Sequence, residues 1–281
     1  MSRYRIVHKT AFRYSATVGA SYNEARMLPS LDDNQMVLSE KLEVEPKSSI
    51  HEYVDYFGTR VVMFEILEPH GELSIVSKSV VQTNDRQLPR PTLDWERLPE
   101  SISSSVSLTE AISQTERTRP SKDFVSSIER VVKDLNPHEA ALAVCRFVHE
   151  SMVYKFGITG VNSVAKDAWK EKVGVCQDYS HIVIGALRQL GIPARYVSGY
   201  LDPGKETAIG QKVSGETHAW VEWWAGEWYP YDPTNDCEVL NRHIFVGRGR
   251  DYDDVPPMRG VFSGGSQHSE LVVEVQFTRE A

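Results

Sequence analysis

The sequence predicts an α+β protein with a β-rich N-terminal domain over residues 1–84, a linker over 85–105 and a catalytic domain of helices followed by strands over 106–281. Three observations predict this order. Short segments rich in β-branched and aromatic residues, punctuated by turn residues, fill the first part. Prolines then crowd a polar stretch. After it, apolar residues recur at helical spacing, and further strands come only downstream of the last helix.

The N-terminal segments are Arg5 to Tyr14, Val37 to Val44, Ile50 to Phe57, Val61 to Leu67 and Leu73 to Val81, with Pro46, Gly58, Pro69 and Gly71 between them. No helix-length periodicity interrupts them, so a small antiparallel β-sandwich or open barrel is expected. Pro89, Pro91 and Pro99 mark the linker. Phe124, Ile128, Val131, Val132 and Leu135 then form one helical stripe, and Ala141, Val144, Cys145, Val148 and Met152 form the next. Asn136 is positioned to cap the second helix and Pro137 to begin it. Cys145 lies inside its apolar stripe and reads as a packing residue. Ser163 to Lys172 makes a short helix broken by Gly174. Another starts at Cys176, with Tyr179, Val183, Ala186, Leu187 and Leu190 as its stripe, and stops at Gly191-Ile192-Pro193. The strands Ala194 to Leu201, Thr217 to Trp223 and Glu227 to Tyr231 follow, and SELVVEVQFTRE near the C-terminus alternates like another strand.

Hydrophobic residues at 41% and charged residues at 25% provide for a folded core. A net charge of −8 without a basic cluster argues against a nucleic-acid partner. No apolar run approaches the ~18 residues that span a bilayer, and the N-terminus lacks the apolar core of a signal peptide. Cys145, Cys176 and Cys237 are too few for a disulfide framework, so a reducing, cytoplasmic compartment is expected. Paired C-x-x-C and H-x-x-x-H motifs, P-loops and dinucleotide fingerprints are missing. Asp251, Asp253 and Asp254 lack EF-hand spacing, and Gly247 to Pro257 reads as a solvated loop. No cofactor or metal is expected.

Gly174-Val175-Cys176 puts a thiol where a loop becomes a helix, and the unpaired N–H groups and dipole there favour a thiolate. His218 begins the strand THAWVEWW and Asp232 ends EWYPYD, with Ala225-Gly226 turning between them. A three-residue loop, Trp224-Ala225-Gly226, would set His218 directly opposite Asp232. A two-residue loop would set it opposite Pro233, with Asp232 on the other face. In the first register the carboxylate can fix the imidazole tautomer, leaving the other nitrogen to take the thiol proton.

GVCQDYSHIVIGALRQLGIPARYVSGY followed by HAWVEWWAGEWYPYDPTN resembles the core of the transglutaminase-like superfamily. YNEARMLP at Tyr22 to Pro29 is similar to the N-terminal region of its bacterial members. The resemblance implies a papain-like core, a helix bearing the cysteine packed on an antiparallel sheet. It implies Cys176 as nucleophile, His218 as general base and acid, and Asp232 as orienting carboxylate. Tyr154, Gln177 and Asp178 are further candidates for oxyanion or substrate contacts, and Asn235 or Asp236 for the third triad position. The expected activity is acyl-enzyme chemistry on peptide or amide bonds, with a leaning to a cysteine protease or amidase. A protein-glutamine transglutaminase and a non-catalytic peptide-binding or scaffolding module are the alternatives. The expected partner is a peptide or protein substrate, and edge strands of the N-terminal region offer a route to a homo-oligomer.

Overall fold

In the computed structural model, residues 1–157, 160–204, 208–264 and 269–281 are described. The N-terminal strands are β1 (Ser2–Ala25), β2 (Gln35–Glu45), β3 (Ile50–Val54), β4 (Arg60–Ile66) and β5 (His70–Thr83). Helices follow: α1 (Leu98–Ser103), α2 (Val106–Ala111), α3 (Lys122–Val131), α4 (Pro137–Ser151), α5 (Ala165–Glu171) and α6 (Cys176–Gln189). Two short strands, β6 (Val153–Tyr154) and β7 (Val173–Gly174), pair in parallel and flank α5. The remaining strands are β8 (Ala194–Leu201), β9 (Lys212–Trp224), β10 (Trp228–Asp232), β11 (Cys237–Glu238), β12 (His243–Gly249), β13 (Met258–Gly264) and β14 (Ser269–Arg279).

Among the described residues, twelve strands join in one antiparallel sheet, in which β14 lies between β1 and β9. Strand β1 is its hub. Its first half pairs with β5 and β14, and its second half with β4 and β13. It runs to Ala25, well past the expected end at Tyr14, because pairing on both edges holds the weakly apolar stretch after Tyr14. Strand β9 is shared in the same way. Lys212 to Gly215 pair with β14, while Glu216 to Trp223 pair with β8.

Helix α6 is the centre of the site-bearing core. Ile182, Val183 and Leu187 are buried, together with Phe124, Ile128, Val144, Cys145 and Val148 of α3 and α4 and Val221 and Trp223 of β9. Burying each large aliphatic side chain contributes about 1.5–3 kcal/mol. Gly185 lets the Thr118 carbonyl approach the helix, where a Cβ would overlap it. A capping box holds the start of α4: Asn136 Oδ1 accepts from the Glu139 N–H at 3.0 Å, and Glu139 returns the bond to the Asn136 N–H at 3.2 Å. A further cluster of Tyr4, Ile6 and Val81 with Tyr200, Ile244, Val275 and Phe277 binds the N-terminal strands to the site-bearing ones.

Two readings of the sequence change here. The stretch Gly247 to Pro257 is not a solvated loop. Its first residues complete β12, Asp251 is buried and accepts the Asp253 N–H at 2.8 Å, and a 3-10 turn at Tyr252–Asp254 closes it. The polar, serine-rich segment around the linker also forms α1 and α2, which bury little beyond Leu98, Leu108 and Ala111. Among the described residues no helix is long and apolar enough to cross a membrane.

Candidate active site

Cys176 is the first residue of α6, half-buried, with Val175 extended before it. Its backbone N–H has no partner within the helix. Asp178 secures this corner. Its carboxylate accepts the Val175 N–H at 2.9 Å and the Ser163 hydroxyl, and it is 1% exposed. Asp178 thus faces into the loop that presents the thiol. Gly174 is required beside it, because a Cβ there would meet the Asp178 side chain at 2.7 Å.

His218 stands on β9 directly opposite Gly199 of β8. A side chain at Gly199 would overlap the Trp220 ring and the Ile244 carbonyl, so this glycine makes room for the aromatic floor of the site. The turn after β9 is Ala225-Gly226-Glu227: Trp224 pairs with Trp228 and Val221 with Tyr231. Neither expected hairpin register occurs. Extending the observed one sets Asp232 opposite Trp220, so His218 and Asp232 are diagonal neighbours on one face. The linker decides the turn. The Thr92 N–H donates to the Ala225 carbonyl at 2.8 Å, and Gly226, at φ +102°, leaves no room for a Cβ against the Thr92 hydroxyl.

His218 Nε2 lies 2.7 Å from Asp232 Oδ2. With Nε2 taken, Nδ1 is the nitrogen left for Cys176, which lines the same cleft as His218. Asp232 is fully buried and pinned by its own turn. Oδ1 accepts the N–H groups of Thr234 at 3.0 Å and Asn235 at 3.2 Å, and Oδ2 accepts Asn235 Nδ2 at 2.7 Å. Asn235 therefore supports the carboxylate rather than replacing it. Asp236 accepts from the Tyr231 hydroxyl at 2.8 Å.

The electrostatics favour an ion pair. Burial, the largest single influence, pushes the His218 imidazole down, but Asp232 and Cys176 together outweigh it and raise it to about 10. Burial would raise the Asp232 carboxyl, yet His218 and His243 together hold it well below the usual carboxylate range. His218 is thus an imidazolium and Asp232 a carboxylate at neutral pH.

His243, at the start of β12, is a component that sequence reasoning missed. Its Nε2 lies 3.2 Å from Asp232 Oδ2. In the sequence it is one histidine before an apolar strand, and only the pairing of β12 with β8 brings it to Asp232. Among the described residues, His218, Asp232 and His243 bring three ligand-type atoms within 4.8 Å of one another. The Asn235 amide donates to the oxygen a cation would need, so the cluster fits a hydrogen-bond hub better than a metal centre.

Cys176 and His218 open onto a cleft of about 350 Å³, lined also by Tyr154, Phe156, Gln177, Glu216 and Tyr252. Burial, with Cys176 next, raises the Tyr154 phenol, which keeps its proton as a donor. Gln177 Nε2 donates to the Val161 carbonyl at 3.2 Å and braces the cleft wall.

Comparison with known proteins gives matches to both parts of the chain. The bacterial transglutaminase-like N-terminal region matches residues 4–82, and the transglutaminase-like superfamily matches residues 125–233. Uncharacterized protein ML0607 of Mycobacterium leprae is 38% identical over 276 residues, covering 98% of this chain and 99% of that one. A protein-glutamine gamma-glutamyltransferase of Pseudomonas aeruginosa is 36% identical over 97 residues, 32% of this chain and 14% of that one. The crystal structure of a candidate cysteine protease from Cytophaga hutchinsonii shares the fold, with a TM-score of 0.75 at 20% identity over 99% of this chain and 97% of that one. With its cysteine-bearing helix packed on an antiparallel sheet and its β-rich N-terminal region, the chain belongs to the transglutaminase-like superfamily.

Proposed function

We propose that the protein is a thiol enzyme that takes the acyl group of a peptide or amide onto Cys176 and passes it to water. The observation that carries this reading is that Cys176 and His218 line one open cleft, with Asp232 Oδ2 2.7 Å from His218 Nε2. In acylation the Cys176 thiolate attacks the carbonyl carbon and a C–S bond forms. His218 then gives its Nδ1 proton to the leaving nitrogen as the C–N bond breaks. In deacylation His218 takes a proton from water, the new oxygen bonds the carbonyl carbon, and the C–S bond breaks. The Cys176 backbone N–H and the Tyr154 hydroxyl are the donors for the transient oxyanion.

Amine transfer is the second reading. It is favoured by the Glu216 carboxylate in the cleft, two residues before His218 on β9, which suits a cationic acceptor. Mass spectrometry of peptide products, with and without a primary amine, decides between them. Free acid as the dominant product supports hydrolysis, and amine adducts formed in preference to acid refute it. A Cys176→Ala protein that retains its biological activity would refute both in favour of a binding module.

A further inference from the structure

The Asp232 carboxylate holds more donors than a triad needs. Oδ2 alone receives His218 Nε2 at 2.7 Å, Asn235 Nδ2 at 2.7 Å and His243 Nε2 at 3.2 Å. A carboxylate offers about four lone-pair positions, and five N–H groups converge on this one. The turn that Asp232 opens already fixes its orientation, so the third donor on Oδ2 calls for a separate explanation.

His243 is an unusual choice for mere packing. It is buried, its ring meets the edge of Trp220 at a centroid distance of 5.4 Å, and the His218 ring centroid is 6.1 Å away. Donation from Nε2 leaves Nδ1 without a proton, and Nδ1 is buried with no hydrogen-bond partner among the described residues. Leaving a polar atom unpaired in the interior costs about 1–3 kcal/mol. A leucine or phenylalanine would fill the same space against Trp220 without that cost. What the histidine adds is the Nε2–H directed at Asp232.

The charge state follows from the surroundings. The titratable groups facing His243 are Asp232 on β10 and His218 on β9, with Arg242 preceding it in sequence. Burial pushes the ring towards its neutral form, and the cationic His218 and Arg242 push the same way against Asp232. A proton on Nδ1 would be a buried charge with nothing to accept it. His243 is therefore a neutral donor beside the His218 imidazolium.

We propose that His243 is a positioning residue whose Nε2–H shares the Asp232 carboxylate with His218, so that the imidazolium is held in line yet gives up its proton readily. Without this second donor, the whole charge of Oδ2 would bear on His218. The imidazolium would then be a weaker acid towards the leaving nitrogen. This inference rests on the thiolate–imidazolium reading given above.

The test needs no natural substrate. Alkylation of Cys176 by iodoacetate, read by peptide mass spectrometry across pH, reports the pair. The acid limb follows formation of the ion pair, and the alkaline limb follows loss of the imidazolium that attracts the anionic reagent. The two limbs belong to the coupled pair. In His243→Phe the alkaline limb should move up by about one pH unit, because a charge-assisted bond to Asp232 is lost. His243→Gln, which retains an Nε2–H donor, should restore the wild-type limb. His243→Leu replaces the Phe variant if thermal melting shows that the latter does not fold.

Two results overturn the proposal: a wild-type alkaline limb in the apolar variant, or a Gln variant that behaves like the apolar one. If wild-type labelling is slow and His218→Ala leaves it unchanged, the ion-pair reading itself fails and takes the proposal with it. That failure appears in the wild type, whereas failure of the proposal alone appears only in the His243 variants.

Discussion

Replacing Asp232 with asparagine isolates the charge that sustains the ion pair. His218 stands at about 10 against an ordinary value of 6.5, and this span corresponds to about 5 kcal/mol of preference for the imidazolium. Because burial alone pushes His218 the other way, the favourable contributions of Asp232 and Cys176 exceed that net figure. In Asp232→Asn burial is opposed by Cys176 alone, and the imidazole becomes neutral near pH 7. Cys176 then loses its cationic partner, and alkylation by iodoacetamide at pH 6.5 should slow by roughly an order of magnitude or more, because the thiolate is the reactive form. The profile should become a single rise with pH. The stability consequence has a definite sign. His218, raised on folding, contributes fully below pH 6.5, and that contribution is lost as pH climbs towards about 10. Asp232, depressed on folding, contributes above its ordinary 3.8 and is lost in acid. Wild-type melting temperature should therefore decline towards pH 10, and this part of the decline should vanish in Asp232→Asn. A variant that alkylates at the wild-type rate with an unchanged profile would refute the reasoning.

Three further outcomes follow from the geometry. Gly199→Val drives a side chain into Trp220 and the Ile244 carbonyl and should destabilise the fold by about 1–3 kcal/mol, read as a lower melting temperature; an unchanged melt would show that β8 can shift. Asp178→Ala leaves the half-buried Val175 N–H and Ser163 hydroxyl without their acceptor and should cost about 1 kcal/mol, with slower Cys176 alkylation as its corner loosens; denaturant unfolding beside the labelling rate checks both. Tyr154→Phe should lower turnover of an activated ester roughly 100-fold if the hydroxyl stabilises the oxyanion and leave iodoacetamide labelling unchanged; equal loss in both assays would assign it to thiol activation instead.

The elements that could be read from the sequence are those in which local chemistry and burial agree. Strand β8 spans Ala194 to Leu201 as the sequence predicts, and Asn136-Pro137 caps α4 as the residue types dictate. The sequence also brings Cys176 to a helix start and puts His218 and Asp232 on adjoining strands, because the spacing of glycine and apolar residues is unambiguous there. The hairpin register could not be read, since WWAGEW accommodates several turns. It is selected by Thr92, more than a hundred residues away. Helices α1 and α2 carry too few apolar residues to announce a period. Strand β13 exposes nearly every side chain, so its place depends on hydrogen bonding to β1 rather than on burial. His243 was hidden for a different reason: its role exists only where β8, β9, β10 and β12 converge.

The position of β14 between β1 and β9 has a consequence for biosynthesis. The strands that carry His218 and Asp232 leave the ribosome before β14 does, yet Lys212 to Gly215 of the His218 strand wait for residues 275–278 as their neighbours. Strand β1 likewise waits for Tyr4 to Tyr14 to be matched by residues 269–279. The sheet thus closes by pairing strands far apart in sequence, a contact slow to form. A nascent chain carries Cys176 long before the scaffold behind His218 is complete, so maturation of the site is deferred until β14 has been made.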